Sequence, residues 1–327
     1  MDNIMVSICC AVYNHKPYLE QTLEGFLSQK TSFSFEVIIN DDVSTDGSRE
    51  LLEQYEKKYP DIIKVIFQNE NQYAKKKKIV FDILAPIARG KYIAICEGDD
   101  YWSDPYKLQR QVDVMEKEKN CSVCVHKVRD IDKDGKKLPN TYPSELVKEG
   151  LIQQEEFIKM LFAPSRYWFH VNSFLFRAKY LKKFNGEYPE FIKVSGVGDV
   201  PLTWLLVNEG DIFYIDKEMS VYRRDAVGSW SAKMQNRDYR KQMSEMFCNS
   251  LTAYNSYTNY KYDEMISQDI IKSQFDYLRL TNQIFLMRQS KFSKLYNQLS
   301  WRQKMTYLIL HFFPILENLY KFVHKEE

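Results

Sequence analysis

The first hundred residues alternate between short apolar runs and segments with helical periodicity. Near-continuous apolar runs cover residues 5–13, 35–39, 62–67 and 92–96, and the helix-like stretch before the last of them covers residues 78–89. Strands buried on both faces read as apolar runs of this kind, and regular strand–helix alternation favours a parallel arrangement with helices on both faces. The sequence therefore predicts an α/β fold built on a mainly parallel sheet.

Acidic side chains follow two of these runs. Asp41 and Asp42 come directly after the second run, and Glu97, Asp99 and Asp100 follow the fourth. The carboxyl ends of parallel strands share one edge of a sheet, where ligands of such sheets bind. Glu97 and Asp99 offer the hard oxygen ligands that Mg²⁺ and Mn²⁺ prefer. A solvated turn before the next helix is the alternative interpretation.

Two common phosphate-binding loops are missing from the sequence. No Gly-x-Gly-x-x-Gly follows the first strand, and no Gly-x-x-x-x-Gly-Lys-Ser/Thr occurs. Phosphates would therefore have to be held in another way. A metal on Glu97 and Asp99 would do this, with Gly98 between them allowing a tight backbone turn. The Asp41 carboxylate would remain to accept hydrogen bonds from a nucleobase or ribose.

Three segments together resemble the non-processive members of glycosyltransferase family 2, of the kind that builds bacterial surface polysaccharides. The segments are Val6-Ser7-Ile8-x-x-x-Val12-Tyr13-Asn14, Asp41-Asp42-x-Ser44-x-Asp46, and Gly90-Lys91-Tyr92-Ile93 running into Glu97-Gly98-Asp99-Asp100. The resemblance implies the GT-A fold, a Rossmann-like sheet flanked by helices, with a C-terminal helical extension. It implies a catalytic domain over residues 1–232, with a nucleotide-binding half (1–104) and an acceptor-binding half (105–232). A helical region over 233–327 would follow.

Enzymes of this family transfer a sugar from a nucleoside diphosphate sugar to an acceptor hydroxyl. The resemblance implies an inverting, metal-dependent enzyme of the hexosyltransferase type (EC 2.4 class) with Mg²⁺ or Mn²⁺ as cofactor. Its donor would be a UDP-sugar, and its acceptor a glycan or a lipid-linked sugar in glycan or surface-polysaccharide biosynthesis. The Gln-x-x-Arg-Trp segment of processive members does not follow the expected catalytic acid.

The resemblance also assigns roles to single residues. Asp41 matches the base-contacting acid, Asp99 the metal-binding acid with Glu97 in the outer position, and Asp199 the catalytic base. Gly198 stands where the family has another acid. The substitutes that remain open for the base are Glu187, Glu190 and Asp211. Capping of a helix over residues 200–207 is the other role open to Asp199.

Residues 221–231 resemble a family loop that closes over the diphosphate, with two departures. Asp225 replaces a histidine, and Val227 replaces a glycine. Arg223 and Arg224 are the cations expected to face the phosphates there, and Lys77, from the lysine run 75–78, is expected to face the nucleotide. A surface loop and a solvated lysine run are the alternatives. The expected donor-binding residues are Val12, Tyr13, Asn14, Asp41, Asp42, Lys77, Glu97, Gly98, Arg223 and Arg224.

The acceptor side is expected to come from residues 143–191 and from aromatic side chains that stack on sugar rings. The expected acceptor-binding residues are Tyr101, Trp102, Trp168 and His170. Aromatic residues at these positions are equally compatible with a place in the core.

Charge and cysteine usage narrow the class of protein. A formal net charge of +2, with no nucleic-acid motif, argues against nucleic acid as a partner. The six cysteines lie mostly in apolar strand runs and read as core residues of a protein in a reducing cytoplasm. No secretory signal precedes the first strand, so a cytoplasmic location is expected.

The region after Trp230 predicts helices from 236 to 323. Its last part, 305–323, is rich in large apolar residues and flanked by basic ones. One interpretation is an interfacial helix that holds the enzyme at the inner face of the membrane. The other is packing against the catalytic domain or against a second subunit of a homo-oligomer.

Two further functions remain open from the sequence. Gly198 and Asp225 are compatible with a non-catalytic subunit that binds a nucleotide sugar without transferring it. A nucleotidyltransferase also joins a metal to a nucleotide on such a sheet, but it would need a glycine-rich loop after the first strand.

Overall fold

The computed structural model describes residues 4–144, 147–163, 169–226, 229–313 and 316. The chain divides into two compact units. The first comprises Met1–Tyr188 and Val197–Lys233, and the second comprises Pro189–Gly196 and Met234–Glu327. Sequence alone assigns the segment Pro189–Gly196 to the first domain, whereas its contacts assign it to the second unit.

Among the described residues, the first unit contains one ten-stranded sheet. The strands are β1 (Val6–Val12), β2 (Phe35–Asp41), β3 (Ile63–Phe67), β4 (Tyr92–Ile95), β5 (Tyr101–Trp102), β6 (Cys121–Ile131), β7 (Lys137–Tyr142), β8 (Gly150–Ile152), β9 (Leu175–Arg177) and β10 (Asp211–Arg223). Their order is β3-β2-β1-β4-β9-β6-β10-β5, with β7 beside β6 and β8 beside β10.

The four strands expected from the apolar runs form the parallel half of this sheet. Val12 on β1 pairs with Asp41 on β2, so both strands end at the same edge. Beyond β4 the sheet is mixed, because β9 runs antiparallel to both β4 and β6, while β6 and β10 are parallel. The prediction of a mainly parallel sheet therefore holds for the first half of this unit and is wrong for the second.

Helices cover the sheet of the first unit. They are α1 (Lys16–Leu27), α2 (Ser48–Lys58), α3 (Ala85–Ile87), α4 (Lys107–Lys117), α5 (Gln154–Leu161), α6 (Lys179–Lys182), α8 (Asp199–Asn208) and α9 (Trp230–Lys233). Short segments add to them: a π-helix over Ile79–Leu84 and a 3₁₀ turn over Val171–Ser173. The helix expected over 78–89 is thus irregular. Pro86 near the start of α3 cannot donate a backbone hydrogen bond, which accounts for a break in regular helix there.

Trp102 belongs to the core of the first unit. Its side chain is 3% exposed, and its ring meets Phe26 edge-on at 4.9 Å between centroids. The ammonium of Lys107, on α4, lies 4.0 Å from the Trp102 ring centroid and donates to Gln111 at 2.8 Å. Trp102 therefore cannot stack on an acceptor sugar. The core alternative holds for this residue.

The second unit is helical in its described part. It contains α7 (Glu190–Lys193), α10 (Arg237–Tyr257), α11 (Asp263–Leu280), α12 (Ile284–Met287), a 3₁₀ turn (Ser290–Phe292), α13 (Ser293–Gln298) and α14 (Trp301–Phe312). Asn236 caps α10 by accepting from the amides of Asp238 and Tyr239 at 2.9 and 3.1 Å. The expected helices are therefore present as far as Phe312. Residues 314, 315 and 317–323 lie outside the described part, and within that part no helix has the length and apolar character needed to cross a membrane.

Candidate functional site

The loop that follows β4, residues Glu97 to Asp100, lies at the carboxyl edge of the parallel strands. We call it the acid loop. The Gly98 amide donates to the Ala11 carbonyl at 3.0 Å, which holds this loop against the end of β1. A Cβ on Gly98 would lie 2.8 Å from His15 Nδ1 and 2.9 Å from Val12 Cγ2. Gly98 is therefore required by lack of space. It also lies in the tight turn expected from the sequence, in which the Asp100 amide donates to the Glu97 carbonyl at 3.1 Å.

Asp99 presents an oxygen that the described residues leave unsatisfied. Its side chain is buried, Oδ1 has no hydrogen-bond partner there, and Oδ2 lies 3.8 Å from His15 Nε2. An unpaired buried carboxylate oxygen is costly unless a cation or a donor reaches it. His15 thus lies beside the acid loop.

Glu97 sits where negative charge accumulates. Its side chain is open to solvent, yet many protein atoms surround it. This desolvation, together with the charges of Asp99 and then Asp199, raises the pKa of the carboxyl to about 8, and the charge of Lys233 opposes the rise. A divalent cation would relieve this repulsion. The residues therefore fit a metal, although no group of three His, Cys, Asp or Glu side chains in the described ranges could enclose one alone.

Asp100 and Arg223 are both buried and make hydrogen bonds inside the protein. Asp100 is buried and accepts from the Arg223 amide at 2.9 Å and from Asn172 Nδ2 at 3.0 Å. The Arg223 side chain is also buried, donates to the Asp99 carbonyl at 3.1 Å and to Gln21 at 3.0 Å, and lies over the Tyr18 ring. Arg223 thus holds the backbone of the acid loop from inside the protein. The expectation that it faces the diphosphate is wrong, because its guanidinium is already engaged inside the protein.

Arg224 is engaged as well. Its Nε donates to the buried Asp130 carboxylate, and its Nη2 donates to the Tyr142 hydroxyl at 2.8 Å. Burial raises the pKa of Asp130, and Arg224 opposes that shift. Arg224 therefore neutralises an internal acid, so the expectation of a phosphate-facing role is also corrected.

The two acids at the end of β2, Asp41 and Asp42, differ in their hydrogen bonds. Asp41 is fully buried, accepts from the Ser44 amide at 3.3 Å through Oδ1, and keeps Oδ2 without a hydrogen bond in the described structure. That oxygen lies 3.8 Å from Arg49 Nε, and the Arg49 guanidinium lies over the Phe67 ring. Asp41 thus retains an open acceptor, as a base-contacting acid requires. Sequence reasoning missed Arg49, whose place beside Asp41 depends on how α2 packs.

Asp42 anchors the neighbouring loop. Its two oxygens accept from the amides of Gln72 and Tyr73 at 2.6 and 3.0 Å. The expected direct contact of Asp42 with the donor is therefore corrected to a supporting one, because its oxygens already bind the loop that carries Lys77. The Lys77 side chain is exposed.

Asn14 joins the loops that follow β1 and β2. Its amide donates to Ser44 Oγ at 2.9 Å, and its Oδ1 accepts from the Thr45 amide at 2.8 Å. The preceding Tyr13 is 42% exposed, so its ring is accessible to a ligand, while Val12 is buried beside Gly98. This arrangement holds Tyr13 at the rim of the sheet edge.

Asp199 is the first residue of α8, and its charge acts on Glu97 in the acid loop. Gly198 occupies the N-cap position, so the capping role considered for Asp199 is not the one observed. The Asp199 carboxylate accepts from the Val200 amide at 2.9 Å and is open to solvent. Desolvation by surrounding protein raises its pKa, and its charge in turn raises the pKa of Glu97. A carboxyl with a raised pKa near other acids has the character of a general base.

A cluster of rings lies beside Asp100. His170 is tilted against Tyr222 at 4.1 Å between ring centroids and against Tyr142 at 5.4 Å, and its Nδ1 lies 3.9 Å from Asp100 Oδ2. Burial lowers the pKa of His170 to about 4, so the imidazole is neutral at pH 7. Sequence reasoning named His170 and placed Tyr222 in the family-like segment 221–231. It did not single out Tyr142, whose place beside His170 depends on the pairing of β7 with β6.

The remaining aromatic candidates differ in position. Tyr101 is partly exposed on β5 and pairs with Val221 of β10. Trp168 lies outside the described residues.

Lys233, at the end of α9, is a further residue that the sequence did not single out. Its ammonium lies 5.1 Å from the Tyr73 ring centroid, and its charge lowers the pKa of Glu97. It therefore brings a positive charge to the acid loop. No motif could have identified it, since it follows the family-like segment 221–231.

A family model described as "Glycosyl transferase family 2" matches residues 7–179. An uncharacterized protein of Mycobacterium tuberculosis (strain H37Rv) is 32% identical over 242 residues, which are 71% of this chain and 62% of that relative. The putative teichuronic acid biosynthesis glycosyltransferase TuaG of Bacillus subtilis is 36% identical over 118 residues, 36% of this chain and 44% of TuaG.

A third relative carries a full activity in its name. The UDP-Glc:alpha-D-GlcNAc-diphosphoundecaprenol beta-1,3-glucosyltransferase WfaP of Escherichia coli is 36% identical over 115 residues, 35% of this chain and 43% of WfaP. The matches thus span 62% of the length of the mycobacterial relative and less than half of TuaG and WfaP.

Two solved structures share the fold. TarS 1–349 of S. aureus superposes with a TM-score of 0.53 at 15% identity, over 90% of this chain and 89% of TarS 1–349. The mannosyltransferase PcManGT of Pyrobaculum calidifontis, solved with GDP-Man and Mn²⁺, superposes with a TM-score of 0.50 at 13% identity, over 94% of this chain and 87% of PcManGT. The expected α/β sheet flanked by helices, similar to that of GT-A enzymes, is confirmed.

Proposed function

The chain belongs to glycosyl transferase family 2, and we propose that it is an inverting, metal-dependent enzyme that transfers a sugar from a nucleoside diphosphate sugar to an acceptor hydroxyl. The observation that carries this proposal is the unpaired buried oxygen of Asp99 in a loop where Asp99 and Asp199 both add negative charge at Glu97. A base and a cation-binding site side by side are what such a displacement needs.

The donor binds, in this proposal, at the carboxyl edge of β1, β2 and β4. Asp41 accepts from the base through its open Oδ2, and the accessible Tyr13 ring lies against the nucleotide. WfaP, whose name specifies UDP-glucose, supports a UDP-sugar as donor, and TuaG and WfaP together support a role in polysaccharide biosynthesis. The named acceptor of WfaP is diphosphoundecaprenol-linked, which supports a glycan or lipid-linked acceptor here.

Asp99 and Glu97 would hold the divalent cation, Mg²⁺ or Mn²⁺. When bound, such an ion supplies positive charge against the diphosphate as it departs. Lys233 adds a fixed cation beside the same acids, a role that the sequence had suggested for Arg223 and Arg224. Arg223 acts behind the loop by holding the Asp99 carbonyl in place.

Asp199 takes the proton from the acceptor hydroxyl. Inversion requires attack opposite the leaving group, so the reaction needs no covalent intermediate on the protein. The rings of His170, Tyr142 and Tyr222 supply neutral surface near Asp100 and suit an uncharged sugar face. Tyr101 is retained as a further acceptor contact.

The experiment is calorimetric titration of the full chain with UDP, GDP, TDP and CMP, each with Mn²⁺ and again with chelator. We expect one diphosphate, UDP, to bind with Mn²⁺ and to lose binding in chelator. Absence of binding in every condition would overturn the catalytic proposal and favour a structural role for the acids.

Two substitutions then separate the roles of the acids. Asp99→Asn should abolish the metal-dependent part of UDP binding. Asp199→Asn should keep UDP binding and lower transfer by about a hundredfold to ten-thousandfold, because it removes the general base. Asp113→Asn, an exposed acid on α4, is the matched control and should change neither. Full transfer by Asp199→Asn would contradict the base assignment, and Glu187, Glu190 and Asp211 would be tested next.

A further inference from the structure

Helix α14 in the second unit has one apolar face that packs on the protein. Leu310 is 4% exposed, and Tyr307 and Leu308 pack on the small core formed by five buried residues of α11, α12 and the adjoining 3₁₀ turn. Those residues are Phe275, Leu278, Ile284, Met287 and Phe292. The Tyr307 hydroxyl also accepts from Arg279 Nε at 3.1 Å. This side of α14 is therefore packed against the rest of its unit.

The opposite face of α14 is apolar too, and it is exposed. Trp301, Met305, Ile309 and Phe312 are 71%, 46%, 44% and 60% exposed. Their spacing of four, four and three residues places them on one side of the helix. A soluble surface gains nothing by aligning four large apolar side chains. Such patches mark surfaces that meet another apolar phase.

Neighbouring residues extend this surface. Phe285, 49% exposed on α12, lies 6.0 Å from Phe312 between ring centroids, and Leu286 beside it is 42% exposed. Phe313, directly after the helix, is 61% exposed. These residues together with the four on α14 form what we call the apolar face.

The sequence that forms the apolar face carries charges of one sign. From residue 277 to residue 316 it contains no Asp or Glu, and its basic residues are Arg279, Arg288, Lys291, Lys294, Arg302 and Lys304. Arg279 lies 3.2 Å from Asp276, just before this stretch, and is paired with it. The Arg302 guanidinium lies 5.7 Å from the Trp301 ring centroid, so a cation borders the most exposed aromatic residue. In a chain whose net charge is only +2, this concentration is a local feature.

We infer that the apolar face docks on an anionic lipid surface, with Trp301, Ile309 and Phe312 inserted at the interface and the basic residues against the headgroups. Aromatic and aliphatic side chains on one helix face, bordered by Lys and Arg, are the pattern of interfacial helices. A second copy of this chain fits less well, because an isologous contact would bring two sets of these cations together across an interface without acids.

The test is co-sedimentation of the full chain with phosphatidylcholine vesicles that contain phosphatidylglycerol. The wild-type chain should bind them, and binding should fall about tenfold with phosphatidylcholine alone or in high salt, because surface charge is then removed or screened. The triple variant Trp301→Gln, Ile309→Gln, Phe312→Gln should lose at least about tenfold of the binding to anionic vesicles. The variant Arg302→Gln, Lys304→Gln should lose about tenfold as well.

Matched controls exist on the same chain. Tyr260→Gln removes an aromatic side chain that is 61% exposed in the same unit but outside the apolar face. Lys136→Gln, Lys137→Gln removes two exposed cations of the first unit. Both should bind vesicles as the wild type does. Thermal unfolding of the triple variant should be unchanged, because the three side chains are mainly exposed.

Three results would overturn the inference. The first is a wild-type chain that does not bind anionic vesicles, and the second is a triple variant that binds them undiminished. The third is a wild-type chain that is a dimer in sedimentation velocity and stays a dimer when vesicles are added, while the triple variant is a monomer. That result would assign the apolar face to a second copy. None of these readouts depends on the proposed sugar transfer.

Discussion

Gly98 is the residue at which the acid loop has least room. In Gly98→Ala the new methyl group would have to displace the His15 ring or the Val12 side chain. We expect affinity for UDP with Mn²⁺ to fall about tenfold to a hundredfold, since displacements of about 1 Å have effects of this size. Calorimetric titration of the folded variant measures it.

Gly198→Ala is the control for that measurement. A Cβ at Gly198 meets no atom within 4 Å, so UDP affinity should stay at the wild-type value. Equal affinities for both variants and the wild type would show that the loop has more freedom than its contacts indicate.

Arg224 and Asp130 form an ion pair, and Arg224 stabilises the fold mainly because it neutralises the buried Asp130 carboxylate. Arg224→Met leaves the Asp130 carboxylate, which has no exposed side-chain surface, without its cation. The free energy of unfolding should fall by about 1–3 kcal/mol, because Asp130 is buried whereas Arg224 is partly exposed. Denaturant unfolding checks this. Adding Asp130→Asn to Arg224→Met should recover much of the loss, and a double variant no more stable than Arg224→Met would refute this account.

The positions of Asp41 and Asp99 at the sheet edge were predictable from the sequence, because both residues follow apolar strands. Their roles in ligand binding stay predictions. The residue predictions that were wrong concern side chains that the fold buries. Trp102 and Arg223 have the residue types of a sugar platform and a phosphate clamp, but contacts with Phe26 and Gln21, distant in sequence, place both inside the protein.

At the scale of elements, α4 carries an unusual buried cation. Desolvation lowers the pKa of Lys107 to about 7, opposed by the nearby Cys96 and Cys124 thiols. Because its pKa in the unfolded chain is about 10.4, the unfolded state binds more protons above pH 7. The contribution of Lys107 to stability therefore rises with pH from 7 and is lost as pH falls towards 7, by at most about 1.4 kcal/mol per pH unit.

Lys107→Met tests this sign. We expect the stability of Lys107→Met minus that of the wild type to become smaller between pH 7 and pH 8.5, because only the wild type gains from deprotonation. Urea unfolding at each pH measures the difference. The neighbouring His126 does not interfere, because burial and the charge of Lys107 lower its pKa well below the usual value and it is neutral throughout this range. A difference that is constant or grows with pH would contradict the buried, easily deprotonated ammonium.

Elements were predictable to different degrees. The parallel strands could be found because burial on both faces makes each an apolar run. The antiparallel β9 and the long β10 could not, because β9 has three residues and β10 mixes polar and apolar positions. The helix over 78–89 was expected, but periodicity does not distinguish a π-helix with a proline-broken continuation from a regular helix.

At the scale of the molecule, the helical unit includes a segment from the middle of the chain. Phe191 of α7 is fully buried and meets Tyr254 and Tyr257 of α10 at 5.3 and 5.0 Å between ring centroids. Its carbonyl accepts from Ser250 Oγ at 2.6 Å. Phe191→Ala should lower the free energy of unfolding of this unit by about 3–5 kcal/mol, through lost burial and the cavity left behind.

Hydrogen exchange locates this effect. Amides of α10 should lose protection in Phe191→Ala and keep it in Phe285→Ala, which truncates an exposed ring of the same unit. Unchanged protection of α10 in Phe191→Ala would mean that the segment Pro189–Gly196 is not part of the cooperative unit. The predicted domain boundary at 232/233 would then describe the folding units better.

The chain passes between its two units three times, at 188/189, 196/197 and 233/234, and this has a consequence for protein engineering. A chimaera made by joining at one point after residue 233 would pair a foreign helical tail with the native Pro189–Gly196, whose side chains are shaped for the original helices. Exchange of the helical unit between relatives therefore requires two grafts made together. The second graft ends at Gly196, three residues before Asp199, so transplanting the tail also changes the chain that leads into the proposed catalytic base.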